Sequence, residues 1–176
     1  RIGGVAELAQ KKGAQEVAAL LQDLLTDINE VAIQYDVEQL PAPGQQLLAV
    51  CGLSTPYLDH SRRMVDFALA VRTLLQRLNT RHSAQLTLHG GLHSGAFSGS
   101  VVRTPRLSYE LWGESVTVAQ QLATEAGPQL ILTSQTIYDR LYEQYAFQPA
   151  RAEPKAGQRT PAAPWLLLNA KNEGGA

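Results

Sequence analysis

YELWGESVTVAQQLATEAGPQLILTSQTIYDRL, Tyr109 to Leu141, is the stretch whose reading decides the fold of this chain. Behind YELWG, apolar residues at Val116, Val118, Ala119, Leu122 and Ala123 predict a helix from Glu114 to Ala126, which Gly127-Pro128 stops. QLILTS, Gln129 to Ser134, is a short apolar run of strand type. Its terminal Ser134 suits the N-cap of a further helix over Gln135 to Tyr145. Helix, strand and helix thus follow one another from Glu114 to Tyr145.

Working outward, Val17, Leu20, Leu21, Leu24, Leu25, Ile28, Val31 and Tyr35 form an amphipathic stripe that predicts a helix over Ala14 to Tyr35. The PAPG run, Pro41 to Gly44, breaks the chain, and QLLAVCGL, Gln46 to Leu53, reads as a buried strand. A second long helix is expected over Leu58 to Asn79, with Met64, Phe67, Ala68, Val71, Leu74, Leu75 and Leu78 on one face. Arg62, Arg63, Arg72 and Arg77, with Asp59 and Asp66 nearby, read as its solvated face. Ala84 to Val102 is strand-like on both sides of Ser94-Gly95 and predicts a hairpin. Its glycines at 90, 91, 95 and 99 suggest close approach by another backbone or a ligand. The C-terminal part carries the loop AEPKAGQRTPAAP and a last strand, WLLLN. This order predicts an α+β sandwich in which helices cover one face of a mostly antiparallel sheet. One domain is expected over residues 1–170, with a polar tail at 171–176.

The whole chain of 176 residues balances 15 Lys and Arg against 16 Asp and Glu, a net charge of -1. Such a balance argues against a nucleic-acid partner, which a basic face would normally serve. No apolar run approaches the roughly 20 residues that span a bilayer. The single Cys51 offers no disulfide framework and points to a reducing, cytoplasmic setting. The chain opens at Arg1 without an initiator Met, so a longer parent polypeptide is expected.

Three stretches, in order, resemble the class III nucleotide cyclase homology domain shared by adenylate and guanylate cyclases. They are LLAVCGLS (Leu47 to Ser54) followed by a long helix, HGGLHSGAFSGSVV (His89 to Val102), and the Tyr109 to Leu141 stretch. The closing KAG…PAAPWLLL is similar too, so the resemblance runs from about Ile2 to Leu168. It implies a ferredoxin-like cyclase sandwich that works as a head-to-tail homodimer, or as a heterodimer with another cyclase-like domain.

It also implies where chemistry would sit. Cyclisation of a nucleoside triphosphate calls for two carboxylate-held metal ions and cationic stabilisation of the leaving pyrophosphate. At the family's two metal positions this chain has Arg1 and Gln45; a guanidinium has no acceptor for Mg²⁺, and a neutral amide is a poor hard-cation ligand. Pro41 occupies the position of the purine-reading Lys, and Glu110 that of its acidic partner. Thr117 and Gln121 replace the Asn and Arg that orient ribose and stabilise the transition state. Five of these six positions have lost charge or donor capacity. The resemblance therefore implies a catalytically inactive, regulatory or dimerising cyclase-like module of a signalling protein. It would need no cofactor and could hold a nucleotide-like ligand against Glu110. The alternative is an active cyclase acting on ATP or GTP with Mg²⁺ or Mn²⁺ through atypical residues.

Other constellations are weaker. His89 and His93 lie roughly 13 Å apart along an extended strand, too far to share a metal, and read as half-buried sheet residues. Cys51 reads as a buried, inert thiol. No G-x-S-x-G elbow is present in the sequence. Trp112 reads as a core anchor, and Gly91, Gly95 and Gly99 as points that let the hairpin twist and a partner chain approach.

Overall fold

Gly4 and Gly13 bracket a helix that apolar periodicity does not announce. Strand β1 (Ile2–Gly3) leads into α1 (Val5–Lys12), and after Gly13 the chain continues into α2 (Ala14–Gln34). With only Leu8 buried in its eight residues, α1 offers no stripe long enough to be recognised. The computed structural model describes residues 1–40, 46–103, 107–150 and 163–171, with only the backbone described at 100–103 and 107–110. The expectations for Pro41 to Gln45, the loop at 151–162 and the tail at 172–176 lie outside the described residues.

Arg1–Leu88 forms one unit and His89–Ala176 a second. In the first, α2 buries Val17, Leu20, Leu24 and Ile28 of the expected stripe, with Ala32 beside them, whereas Leu25 of that stripe is 48% exposed. Each such Val, Leu or Ile burial stabilises by about 1.5–3 kcal/mol before the entropy of ordering is counted. The ribbon β2 (Glu38–Leu40) and β3 (Leu48–Val50) follows, antiparallel, with Leu40 opposite Leu48. The expected strand over Gln46 to Leu53 is therefore shorter, and β3 is only half-buried, because it belongs to a two-stranded ribbon. Cys51 falls just past it, half-buried, in a bend rather than in an apolar strand. Burial pushes its thiol up, while the Arg63 charge opposes that rise.

Helix α3 (His60–His82) packs against α2. Its buried residues are Ser61, Val65, Phe67, Val71 and Leu75, so the inner face is rotated from the expected one: Val65 is fully buried and Met64 only half-buried. At its end Asn79 clasps the following segment. Its Nδ2 donates to the Leu86 carbonyl at 2.8 Å, and its Oδ1 accepts from the Leu86 amide at 3.0 Å. The start of α3 is less solvated than expected. Arg63 donates to Asp59 at 2.8 Å and to Asp36, and its guanidinium lies 4.3 Å from the centre of the Tyr57 ring.

β4 (Thr87–Leu92) closes the first unit, where Thr87 and Leu88 pair antiparallel with Gly3 and Ile2. Its remaining residues, His89 to Leu92, open the second unit and pair in parallel with β7 (Leu130–Thr133). The expected hairpin around Ser94-Gly95 does not form. Instead β5 (Ser98–Arg103) pairs with β6 (Leu107–Trp112), from Ser98 opposite Trp112 to Arg103 opposite Leu107. Tertiary contacts decide the difference, because they hold the turn after β4. The Arg140 guanidinium donates to Ser94 Oγ at 2.9 Å, and Ser115 Oγ donates to the Ala96 carbonyl at 2.6 Å.

α4 (Glu114–Glu125) precedes β7, and α5 (Gln135–Leu141) follows it. α5 ends before Tyr145, which opens β8 (Tyr145–Pro149) and is buried there. Antiparallel pairing of β7 with β9 (Trp165–Ala170), and of β9 with β8, completes the second unit's sheet. Ser134 does occupy the N-cap of α5, with extended backbone, but makes no side-chain capping bond. Its hydroxyl pairs with His93 Nδ1 at 2.9 Å instead. The chain is thus α+β, with β4–β7 the parallel pair and the remaining strand pairs antiparallel among the described residues. Among the described residues no helix is long and apolar enough to cross a membrane.

Candidate functional site: the outward face of α4

Gly113, at φ 129, joins β6 to α4 with a single residue in a backbone conformation that side chains rarely adopt. The orientation of α4 is then fixed by Gly91. A Cβ there would stand 2.1 Å from the Ala119 carbonyl oxygen and 2.3 Å from the Ala123 amide nitrogen, so helix backbone rests directly on β4. The space beside Gly91 is filled by the chain's own helix, which overturns the expectation of a partner chain at that point. The space beside Gly95 holds Ser115 and His93 in the same way. Leu122 and Ala126 turn inward against Leu132, with Val118, Ala150 and Leu166 packed around them.

With its inner side settled, α4 turns Thr117 outward, exposed, and leaves Gln121 half-buried one turn later. Thr117 Oγ1 donates to the Gly113 carbonyl at 3.4 Å, and Gln121 Nε2 donates to Glu125 Oε1 at 3.0 Å. These two expected site residues are the pair the structure brings together. Glu110 sits on β6, opposite Ser100 in the ladder, three residues before Gly113. Arg1 precedes β1 in the first unit, and Pro41 and Gln45 lie outside the described residues.

Trp112 corrects an expectation. It is 48% exposed rather than a core anchor, because β6 belongs to a two-stranded ribbon. The two histidines are half-buried, as expected, but His93 lies just past the end of β4. His89 Nδ1 meets the Ala126 carbonyl at 2.7 Å. Burial pushes His93 below its ordinary value, with the Glu114 charge opposing. Ser94, Ser115 and Arg140, which pin the turn after β4, carry no local pattern that would single them out in a sequence.

The donor set at the described positions does not fit a catalytic Mg²⁺. Arg1 offers hydrogen-bond donors only, and Thr117 and Gln121 are neutral.

The family model for the adenylate and guanylate cyclase catalytic domain matches residues 1–167. An adenylate cyclase of Mycobacterium tuberculosis is 25% identical over 173 residues, covering 97% of this chain and 38% of that protein. A membrane guanylyl cyclase of Dictyostelium discoideum is 24% identical over 148 residues, covering 84% of this chain and 10% of that protein. The chain thus spans well under half of these relatives. Among solved structures, the adenylyl cyclase CyaB from P. aeruginosa superposes with a TM-score of 0.85 at 18% identity, covering 99% of this chain and 93% of that one. The guanylate cyclase domain of RhGC from Catenaria anguillulae, solved with GTP, gives 0.85 at 20% identity, with 97% and 93% covered. A sheet that carries one parallel pair, the glycine at which α4 meets β4, and a match over nearly the whole chain agree: this chain belongs to the adenylate and guanylate cyclase catalytic domain family.

Proposed function

We propose that this domain is a non-catalytic member of its family, a regulatory and dimerising module of a larger signalling protein. The observation that supports this reading is the outward face of α4. Where the resemblance calls for ribose-orienting and phosphate-neutralising side chains, the face offers a hydroxyl bonded back to Gly113 and an amide bonded to a carboxylate. A neutral amide supplies no charge against a developing pyrophosphate. Arg1, Pro41 and Gln45 extend the same loss to the metal and base-reading positions in the sequence. Such a face suits a nucleotide-like or uncharged purine ligand held against Glu110, or no ligand at all, and needs no cofactor.

The partner in this reading is a second cyclase-like domain, identical or not. An upstream sensor or membrane domain in the same polypeptide supplies the signal, with this domain on the cytoplasmic side. Relatives named as receptor-type guanylate cyclases, of which this chain covers 12% and 13%, support that arrangement.

A second reading, an active cyclase making a cyclic nucleotide from ATP or GTP with Mg²⁺ or Mn²⁺, is favoured by the retained acid at Glu110. Titration of the domain with ATP and GTP in the presence of either metal, following heat and cyclic product together, separates the two. No cyclic product is expected from either nucleotide. Cyclic nucleotide above the buffer control overturns the proposal.

A further inference from the structure

The outward face of α4 carries a charge that its packing does not require. From Glu114 to Glu125 the helix has two carboxylates and no Lys or Arg. Glu125 stands in the last turn, which carries no basic residue. The final carbonyls there form the negative end of the helix dipole, so a carboxylate is unfavourable and a cation favourable. Helix packing does not account for the choice: Glu125 is exposed, and the contacts that seat α4 are made by Leu122, Ala126 and the backbone over Gly91.

Glu125 has a consequence one turn back. Gln121 donates an amide hydrogen to Glu125 Oε1, which turns the amide nitrogen toward the helix C-terminus. A bound molecule meeting this face would find a hydroxyl, an amide oxygen and a carboxylate, all of them able to accept hydrogen bonds. We propose that Glu125 is a specificity-determining residue, which holds Gln121 and makes this face reject polyanionic ligands in favour of neutral ones. The inference rests on the reading of α4 as a ligand-facing helix given above.

The test compares the wild-type domain with Gln121→Arg, Glu125→Gln and the double variant. Mg²⁺-ATP is titrated calorimetrically at low and high salt, with adenosine as the uncharged probe and cyclic product followed throughout. In Gln121→Arg the new guanidinium pairs with Glu125 across one turn, a coupling of about a factor of two, so the gain in ATP affinity is about half that of the double variant. In the double variant the guanidinium is free for phosphate, so ATP binds about tenfold tighter at low salt, a gain that shrinks as salt rises. Adenosine binding is unmoved. An equal gain from Gln121→Arg alone, or no gain in the double variant, overturns the role of Glu125. Cyclic product from the wild-type domain overturns the non-catalytic reading instead. The ratio between single and double variants judges Glu125 in either case.

Discussion

Helices α3 and α4 put their polar side chains to different uses. On α3, Arg63 reaches Asp36, 27 positions earlier in the chain, and Asn79 clasps both backbone groups of Leu86. These side chains hold separate segments of the first unit together. On α4, beyond Ser115 in the first turn, the bonds stay within the helix: Thr117 to Gly113, Gln121 to Glu125, Thr124 to the Gln120 carbonyl. What seats α4 is an absent side chain, the missing Cβ of Gly91. Polar groups that carry tertiary structure are constrained by folding, whereas those of α4 are not, which leaves them open to the ligand selectivity proposed above.

The largest effect is expected where α4 is seated. Gly91→Val drives side-chain atoms into the backbone at Ala119 and Ala123 and should destabilise by about 3 kcal/mol or more, read as a fall in the urea midpoint. A midpoint near that of the wild type would mean that α4 is held by something else. Asn79→Ala comes next. Losing two hydrogen bonds at the buried Leu86 should cost about 1–3 kcal/mol in the same measurement.

Arg63→Met is expected to lower the melting temperature by less than Asn79→Ala, since its ion pairs are solvated, and to show a pH signature. The hydrogen bond from Arg63, with its charge, holds the Asp59 carboxyl below the ordinary 3.8. A depressed folded-state value means stabilisation that is complete above about pH 3.8 and lost as pH falls through the lower, folded value. The melting difference between wild type and Arg63→Met should therefore be flat near neutrality and narrow in acid. A difference that widens on acidification would break the assignment. The smallest effect is on α4 itself. Gln121→Ala should change stability by no more than about 0.5 kcal/mol, because its bond stays within one exposed helical surface. A loss as large as that of Asn79→Ala would erase the contrast between the helices.

Much of the fold was legible because periodicity is a local signal. The stripe of α2 and the run Leu130 to Thr133 emerged where apolar spacing placed them, and α4 and β7 followed one another across Gly127-Pro128. The candidate site rests on the same kind of local signal. Four-residue spacing alone puts Thr117 and Gln121 on one helical face, and their chemistry is a matter of residue identity. Strand pairing was a different matter. Nothing local in His89 to Arg103 says that β4 lies beside β7 and that β5 takes β6. That choice depends on Arg140, Ser115 and Ser134, which reach the turn from 19 to 46 positions away.

The sequence by itself determined the existence of α2, α3 and α4, the family resemblance and the residues that stand where cyclase chemistry would act, since each depends only on residue identity and spacing. Tertiary structure alone decided that Gly91 serves the chain's own helix, that Trp112 is exposed, that the Ser134 hydroxyl faces His93, and that Gln121 is tied to Glu125. The physical reason is common to these outcomes: a glycine, a tryptophan or a hydroxyl acquires its role from the atoms packed against it, and a choice among rotamers and neighbours is made only when the chain is folded.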